Sequence, residues 1–186
     1  MLKVYDDVGH FHIPRTGGRS LTEEFRKHHG NPVVILPKEY DFGRHCTLAE
    51  IDKIYDIDSL DRIICLVRNP YAICVSLYFW VRRCMKNEGA YKQMSSIHPE
   101  MEILFDLEFD DYVKWYVKHW NSLKDWIVIN NRIPINLEIY RMEDISMETD
   151  INKSVHEPYM DYFNAETKNI IKEFDAWAFD RFEYGG

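Results

Sequence analysis

No apolar run in this chain approaches the roughly 20 residues needed to cross a bilayer, so no membrane-spanning helix and no membrane partner are expected. Cysteine is scarce and unpatterned: Cys46, Cys65, Cys74 and Cys84 show no Cys-x-x-Cys spacing. They read as reduced, mostly buried thiols, which points to a cytosolic, cytoplasmic setting. The opening residues, Met1 to Asp7, lack the charged-then-apolar layout of a secretory signal. Basic residues are in deficit, with 23 Lys plus Arg against 31 Asp plus Glu and a net charge of −8. A broad grip on duplex nucleic acid rests on phosphate neutralisation, so the balance argues against that partner, although it does not exclude a small basic pocket for one anionic ligand. Internal repeats, low-complexity tracts and Gly/Ser linkers are also missing, so residues 1–186 read as one domain. What is present is core-forming material: 46% of the 186 residues are apolar and 15% aromatic.

The patterning alternates strands with helices. Gly9 to Ile13 reads as a short strand running into a Pro-Arg-Thr-Gly-Gly turn. A helix from about Ser20 to His29 follows, with Ser20 and Glu23 spaced as a capping box. Val33 to Leu36 predicts a second buried strand, and Thr47 with Glu50 repeats the capping-box spacing before a helix carrying Leu48, Ile51 and Ile54. Arg62 to Val67 is β-branched and nearly all apolar, as suits a strand covered on both faces. Pro70 then opens a helix through about Met85. Asp110 to Lys124 predicts another helix, Ile133 to Tyr140 a strand despite Pro134, and Ala165 to about Phe182 the closing helix. Lys86 to Asp106 is long and poorly patterned. Strands separated by such helices imply an α/β fold with a parallel sheet of four to five strands and helices on both faces.

Two segments carry recognisable chemistry. In His12-Ile13-Pro14-Arg15-Thr16-Gly17-Gly18-Arg19-Ser20 the glycines let the backbone approach a ligand, and the helix start behind them adds partial positive charge. Thr16 and Ser20 bring hydroxyls, and Arg15 and Arg19 bring forked cations suited to phosphate or sulfate oxygens. The bland alternative is a Gly-Gly turn with two solvated arginines. A Walker loop is not present, because the Gly-Lys-[Ser/Thr] ending is missing.

The segment from His12 to Gly18 closely resembles the 5′-phosphosulfate loop of sulfotransferases, which take a sulfuryl group from 3′-phosphoadenosine 5′-phosphosulfate (PAPS). That loop usually reads His-Ile-Pro-Lys-Thr-Gly-Gly-Thr-Ser, so Arg15 stands for its lysine and Arg19 for its threonine. The resemblance implies that Arg15 stabilises charge on the bridging oxygen, as a cation that cannot give up a proton near neutral pH. Arg62 to Tyr71 resembles the family's 3′-phosphate signature, with Asn69 in place of its usual Asp. The resemblance assigns Arg68 and Ser76, eight positions apart (76 − 68 = 8), to that phosphate. Arg68 is expected at the carboxyl end of a strand, where open α/β sheets bind ligands. The alternative is a structural salt bridge.

The stretch Gly43-Arg44-His45 resembles a segment that holds a catalytic histidine in some carbohydrate-type members, making His45 the candidate base and His12 its rival. Glu39 and Asp41 are carboxylate alternatives. Tyr140 to Ile145, the loop Ile151 to Tyr159 and the closing Asp175 to Tyr184 also look like family segments, and the second of these adds Lys153 and Ser154 as weaker 3′-phosphate candidates. Tyr112, Trp115, Tyr116, His119 and Trp120 recur at helical spacing and read as core before they read as a sugar platform. Arg82, Arg83 and Lys86 read as a solvated face before they read as a basic rim.

The implied protein is a single P-loop-like PAPS-dependent sulfotransferase domain that needs no metal and acts on a hydroxylated acceptor, expected to be a carbohydrate. Two other readings stay open. One is a kinase using ATP, set back because the strand at Arg62–Val67 ends in Arg68 rather than an aspartate. The other is a non-catalytic nucleotide-binding domain. Neither the acceptor's identity nor the oligomeric state is readable from the sequence.

Overall fold

The computed structural model describes residues 1–36, 45–87, 101–146 and 158–185. Along the chain run β1 (Leu2–Tyr5), β2 (Val8–Phe11), α1 (Gly18–His29), β3 (Val34–Leu36), α2 (Leu48–Asp52), β4 (Arg62–Val67) and α3 (Pro70–Met85). There follow α4 (Met101–Asp106), α5 (Phe109–His119), α6 (Leu123–Ile127), β5 (Leu137–Arg141), α7 (Ala165–Phe174) and α8 (Ala176–Phe182). The chain divides into two compact units, Met1–Arg68 with Leu123–Lys153 and Asn69–Ser122 with Ser154–Gly186.

The first unit holds a five-stranded sheet in the order β3-β1-β2-β4-β5. The sheet is mixed, which corrects the all-parallel expectation. β2 runs parallel to β4 and β4 parallel to β5, while β1 is antiparallel to both β2 and β3. It follows that β2, β3, β4 and β5 share one direction, and the strand that the sequence pattern missed is the one that opposes them. β1 is joined to β2 by Asp6 and Asp7, with Asp6 in the left-handed region at φ 51, as a tight hairpin turn needs.

β3 is an edge strand in which Ile35 is 43% exposed, so the expectation of a fully buried run fails there. β4 is the strand expected, with Ile63, Cys65, Leu66 and Val67 buried. β5 starts at Leu137 rather than Ile133, because Pro134 cannot donate to a sheet ladder. Asn136 then fixes the strand's entry, donating through Nδ2 to the carbonyls of Ile57 and Leu60 at 2.9 and 2.8 Å.

α1 packs on the sheet face that carries Tyr5 and His10, where Phe25 meets the Tyr5 ring at 5.2 Å and the His10 ring at 5.5 Å between centroids. The opposite face is tight at Gly9, where a Cβ would lie 3.0 Å from side-chain carbons of Leu2 and Leu60. α2 begins on the expected capping box: the Thr47 hydroxyl accepts from the Glu50 amide at 3.2 Å, and Glu50 Oε2 accepts from the Thr47 amide at 2.7 Å.

The second unit is helical. Asn69 caps α3 by accepting from the Tyr71 amide at 3.0 Å, with Pro70 in the first turn. Asn69 therefore supplies the cap that opens α3. Tyr112 and Tyr116 of α5 are buried with Tyr78, Val81 and Phe163, and Trp115 and Trp120 pack half-buried against them, so these members of the stripe are core, whereas His119 is exposed. Aromatic edge contacts dominate there, as between Phe109 and Phe163 at 4.9 Å. The helix expected over Asp110–Lys124 ends at His119, and α6 is a separate element of the first unit. The closing helix is broken at buried Asp175, whose φ of −112° and ψ of 28° are not helical.

Arg82 departs from the solvated-face reading. Its guanidinium lies 3.4 Å from the Tyr78 ring centroid and donates to the Leu107 carbonyl, whereas Arg83 and Lys86 are exposed. Cys65, Cys74 and Cys84 are buried and Cys46 half-buried. Among the described residues, no helix is long and apolar enough to cross a membrane.

Candidate functional site

The glycine loop joins β2 to α1 in the first unit. α1 starts at Gly18, two residues earlier than the pattern suggested, and its cap is Gly17 at φ 83 and ψ 8 with no side-chain cap bond. The expected Ser20–Glu23 capping box is therefore absent: Ser20 lies inside the first turn, 4% exposed. Glycine is required at two points here for different reasons. Gly17 holds the left-handed conformation. At Gly18 a Cβ would fall 2.0 Å from His12 Cδ2, so the imidazole occupies the space a side chain would need.

Arg15 also sits in the left-handed region, at φ 67, where residues other than glycine are uncommon. Thr16 is buried and donates its hydroxyl proton to the Ile13 carbonyl at 3.0 Å, tying the turn to itself. Arg19 is exposed and Arg15 half-buried. The first turn of α1 carries no acid, against the usual preference of a helix start for negative charge.

Two distant segments reach this loop. Arg68, directly after β4, donates through Nη1 to the Arg15 carbonyl at 3.3 Å. His45 meets His12 edge-on, with ring centroids 5.0 Å apart and planes at 82°. Behind His12 lies His10, nearly parallel at 6.0 Å. Burial holds the His12 imidazole well below its usual range, with His45 and His10 adding to the effect. Burial likewise pushes His10 down to about 3, so His10 is neutral near pH 7.

Arg15, Thr16, Gly17, Gly18, Arg19, Ser20, His45 and Arg68 thus all belong to the first unit. Ser76 belongs to the second, 3% exposed on α3. Lys153, Ser154, Glu39 and Asp41 lie outside the described residues. The sequence reading passed over Lys3, His10 and Thr22, whose side chains meet beneath the loop. The alternation Lys3/Tyr5 was the available signal, and it was hidden because β1 is only four residues long.

No family model matches the chain, and neither curated proteins nor solved structures gave a match.

Proposed function

We propose that this chain is a PAPS-dependent sulfotransferase with a P-loop-like arrangement, acting on a hydroxyl of a carbohydrate acceptor. The observation that carries the proposal is the bond from the Arg68 guanidinium to the Arg15 carbonyl, 3.3 Å long, which brings together the two segments that resemble the family's phosphate motifs. Topology supports it. His12 and Arg68 follow the carboxyl ends of the parallel neighbours β2 and β4. Along the sheet, β3 lies beyond β2 on one side and β5 beyond β4 on the other. Open α/β sheets bind ligands at such a reversal.

In the proposed reaction the acceptor oxygen attacks sulfur in line, a new O–S bond forms, and the bond from sulfur to the bridging oxygen breaks. 3′,5′-Adenosine bisphosphate leaves. His45 takes the acceptor's proton, and Arg15 offsets the charge that builds on the bridging oxygen. The 5′ end of the donor sits against the N–H groups of the loop and Arg19. Arg68 is assigned to the 3′-phosphate, and Ser76, Lys153 and Ser154 keep their assignment through the family resemblance alone. Positioning and cationic stabilisation supply most of the rate, as in phosphoryl transfer.

The test is transfer of radiolabelled sulfuryl from PAPS across a panel of carbohydrate acceptors, with wild type beside His45→Ala. The variant should lose about 10²–10⁴-fold in turnover, the usual worth of a general base, with bisphosphate affinity nearly unchanged. Near-normal turnover would remove His45 and direct attention to Glu39 or Asp41. Stabilisation by ATP–Mg²⁺ but not by the bisphosphate would favour a kinase, and bisphosphate binding without turnover a binding domain.

A further inference from the structure

Thr22, one turn into α1, is a junction of four groups. Its hydroxyl donates to the Gly18 carbonyl at 2.8 Å. It accepts from Lys3 Nζ at 3.1 Å, and His10 Nδ1 lies 3.3 Å away. A hydroxyl has one proton, and here that proton goes to Gly18, so toward His10 the oxygen can only accept. His10 therefore carries its hydrogen on Nδ1. The ring's other nitrogen, Nε2, is buried and has no hydrogen-bond partner among the described residues, as fits a neutral imidazole. All four groups belong to the first unit.

The Gly18 carbonyl and the Arg19 N–H share one planar peptide, so the two groups point in opposite directions. Arg19 is the second residue of α1, and its N–H is one of those a helix leaves without an intrahelical acceptor. A pull on the Gly18 oxygen from inside the unit therefore aims the Arg19 N–H outward. Hydrogen bonds in a chain polarise one another, and a cation at the far end strengthens each link.

We propose that Thr22, backed by Lys3 and His10, is a positioning residue that aims and polarises the Arg19 amide toward the sulfate or phosphate group held by the glycine loop. This rests on the sulfotransferase reading only for the identity of the anion. Lys3 takes its part through geometry, its Nζ donating to the Thr22 hydroxyl at 3.1 Å. Burial, then the nearby Arg26, lower the pKa of its amine, with Glu23 opposing this and Arg19 adding to it.

The test uses the full chain, with calorimetry on 3′,5′-adenosine bisphosphate and on inorganic pyrophosphate, and the amide chemical shift of Arg19 without ligand. Thr22→Val should weaken both anions about tenfold and move the Arg19 amide proton upfield, while Thr22→Ser should stay within about twofold of wild type. Lys3→Met should give a smaller loss of the same kind. Adding it to Thr22→Val should cost nothing more, since the relay is already cut. Losses that multiply in the double variant, or an unchanged Arg19 amide in Thr22→Val, would overturn the relay. Pyrophosphate binding that depends on Thr22 without any bisphosphate binding would retain the relay and reject the donor assignment. Binding of neither anion by wild type would reject both.

Discussion

The His12 imidazole fills the place where a side chain on Gly18 would stand, with Cδ2 only 2.0 Å from the position of that absent Cβ. The segment directly after β2 thereby sets the start of α1: the His12 ring and the helix's first residue are fitted to each other. The His12 ring in turn meets the His45 ring edge-on, at 5.0 Å between centroids.

Gly18→Ala should therefore destabilise the chain by about 1–3 kcal/mol, the usual cost of overpacking a tight interior. Urea unfolding measures it. His12→Ala combined with Gly18→Ala should recover part of the loss, because the clash needs both side chains. A double variant as unstable as the sum of the singles would show that backbone conformation, not the ring, excludes alanine.

Buried His10 predicts a specific acid sensitivity. His10 has a folded pKa of about 3 against an ordinary 6.5. Between these values the unfolded chain binds a proton that the folded chain does not, so stability rises with pH. The contribution is full above 6.5 and is lost as pH falls toward 3. One such group gives a slope of up to about 1.4 kcal/mol per pH unit. His10→Gln should flatten the stability profile in that window, although it is less stable than wild type at neutral pH. An unchanged slope would place the acid sensitivity elsewhere.

Arg68 has two tasks in this account, and calorimetry separates them. Loss of its bond to the Arg15 carbonyl should weaken every ligand of the loop. Loss of a charged contact to the 3′-phosphate should weaken only ligands that have one. Arg68→Ala should thus cost 3′,5′-adenosine bisphosphate about 10–100-fold more affinity than adenosine 5′-phosphosulfate, from roughly 1.5–3 kcal/mol per charged hydrogen bond. Equal losses would leave Arg68 with loop support alone.

Arg15→Ala should lower turnover more than donor affinity, because charge on the bridging oxygen builds only as the bond breaks. Arg15→Lys should keep measurable activity. A dead lysine variant beside an active wild type would mean that the forked guanidinium is itself required.

Much of the frame was legible where local chemistry and burial agree. β4 and α3 fall where expected because an apolar β-branched run is followed by an Asn cap and a Pro at the first helical position. The Thr47–Glu50 capping box is real for the same reason. The Ser20–Glu23 spacing misled, since Gly17 in the left-handed region starts α1 earlier and leaves Ser20 inside the first turn. β1 escaped because four residues with Lys3 among them carry almost no periodic signal, and only pairing with β2 and β3 makes them a strand. The place of the glycine loop between β2 and α1, and of Arg68 directly after β4, could be read from residue type and order. The contacts of His12 with Gly18 and of Thr22 with Lys3 could not, because they depend on which strand lies beside which helix.

The central claim is that the loop takes a 3′-phosphorylated adenosine nucleotide, and an acceptor need not be known to test it. Titration calorimetry with 3′,5′-adenosine bisphosphate, adenosine 5′-phosphate and ATP–Mg²⁺ is the direct measurement. The account predicts tight binding of the bisphosphate, binding of adenosine 5′-phosphate weaker by at least about tenfold, as one charged hydrogen bond to the 3′-phosphate implies, and no preference for ATP–Mg²⁺. Equal affinity for the bisphosphate and adenosine 5′-phosphate, or preference for ATP–Mg²⁺ over both, would contradict it.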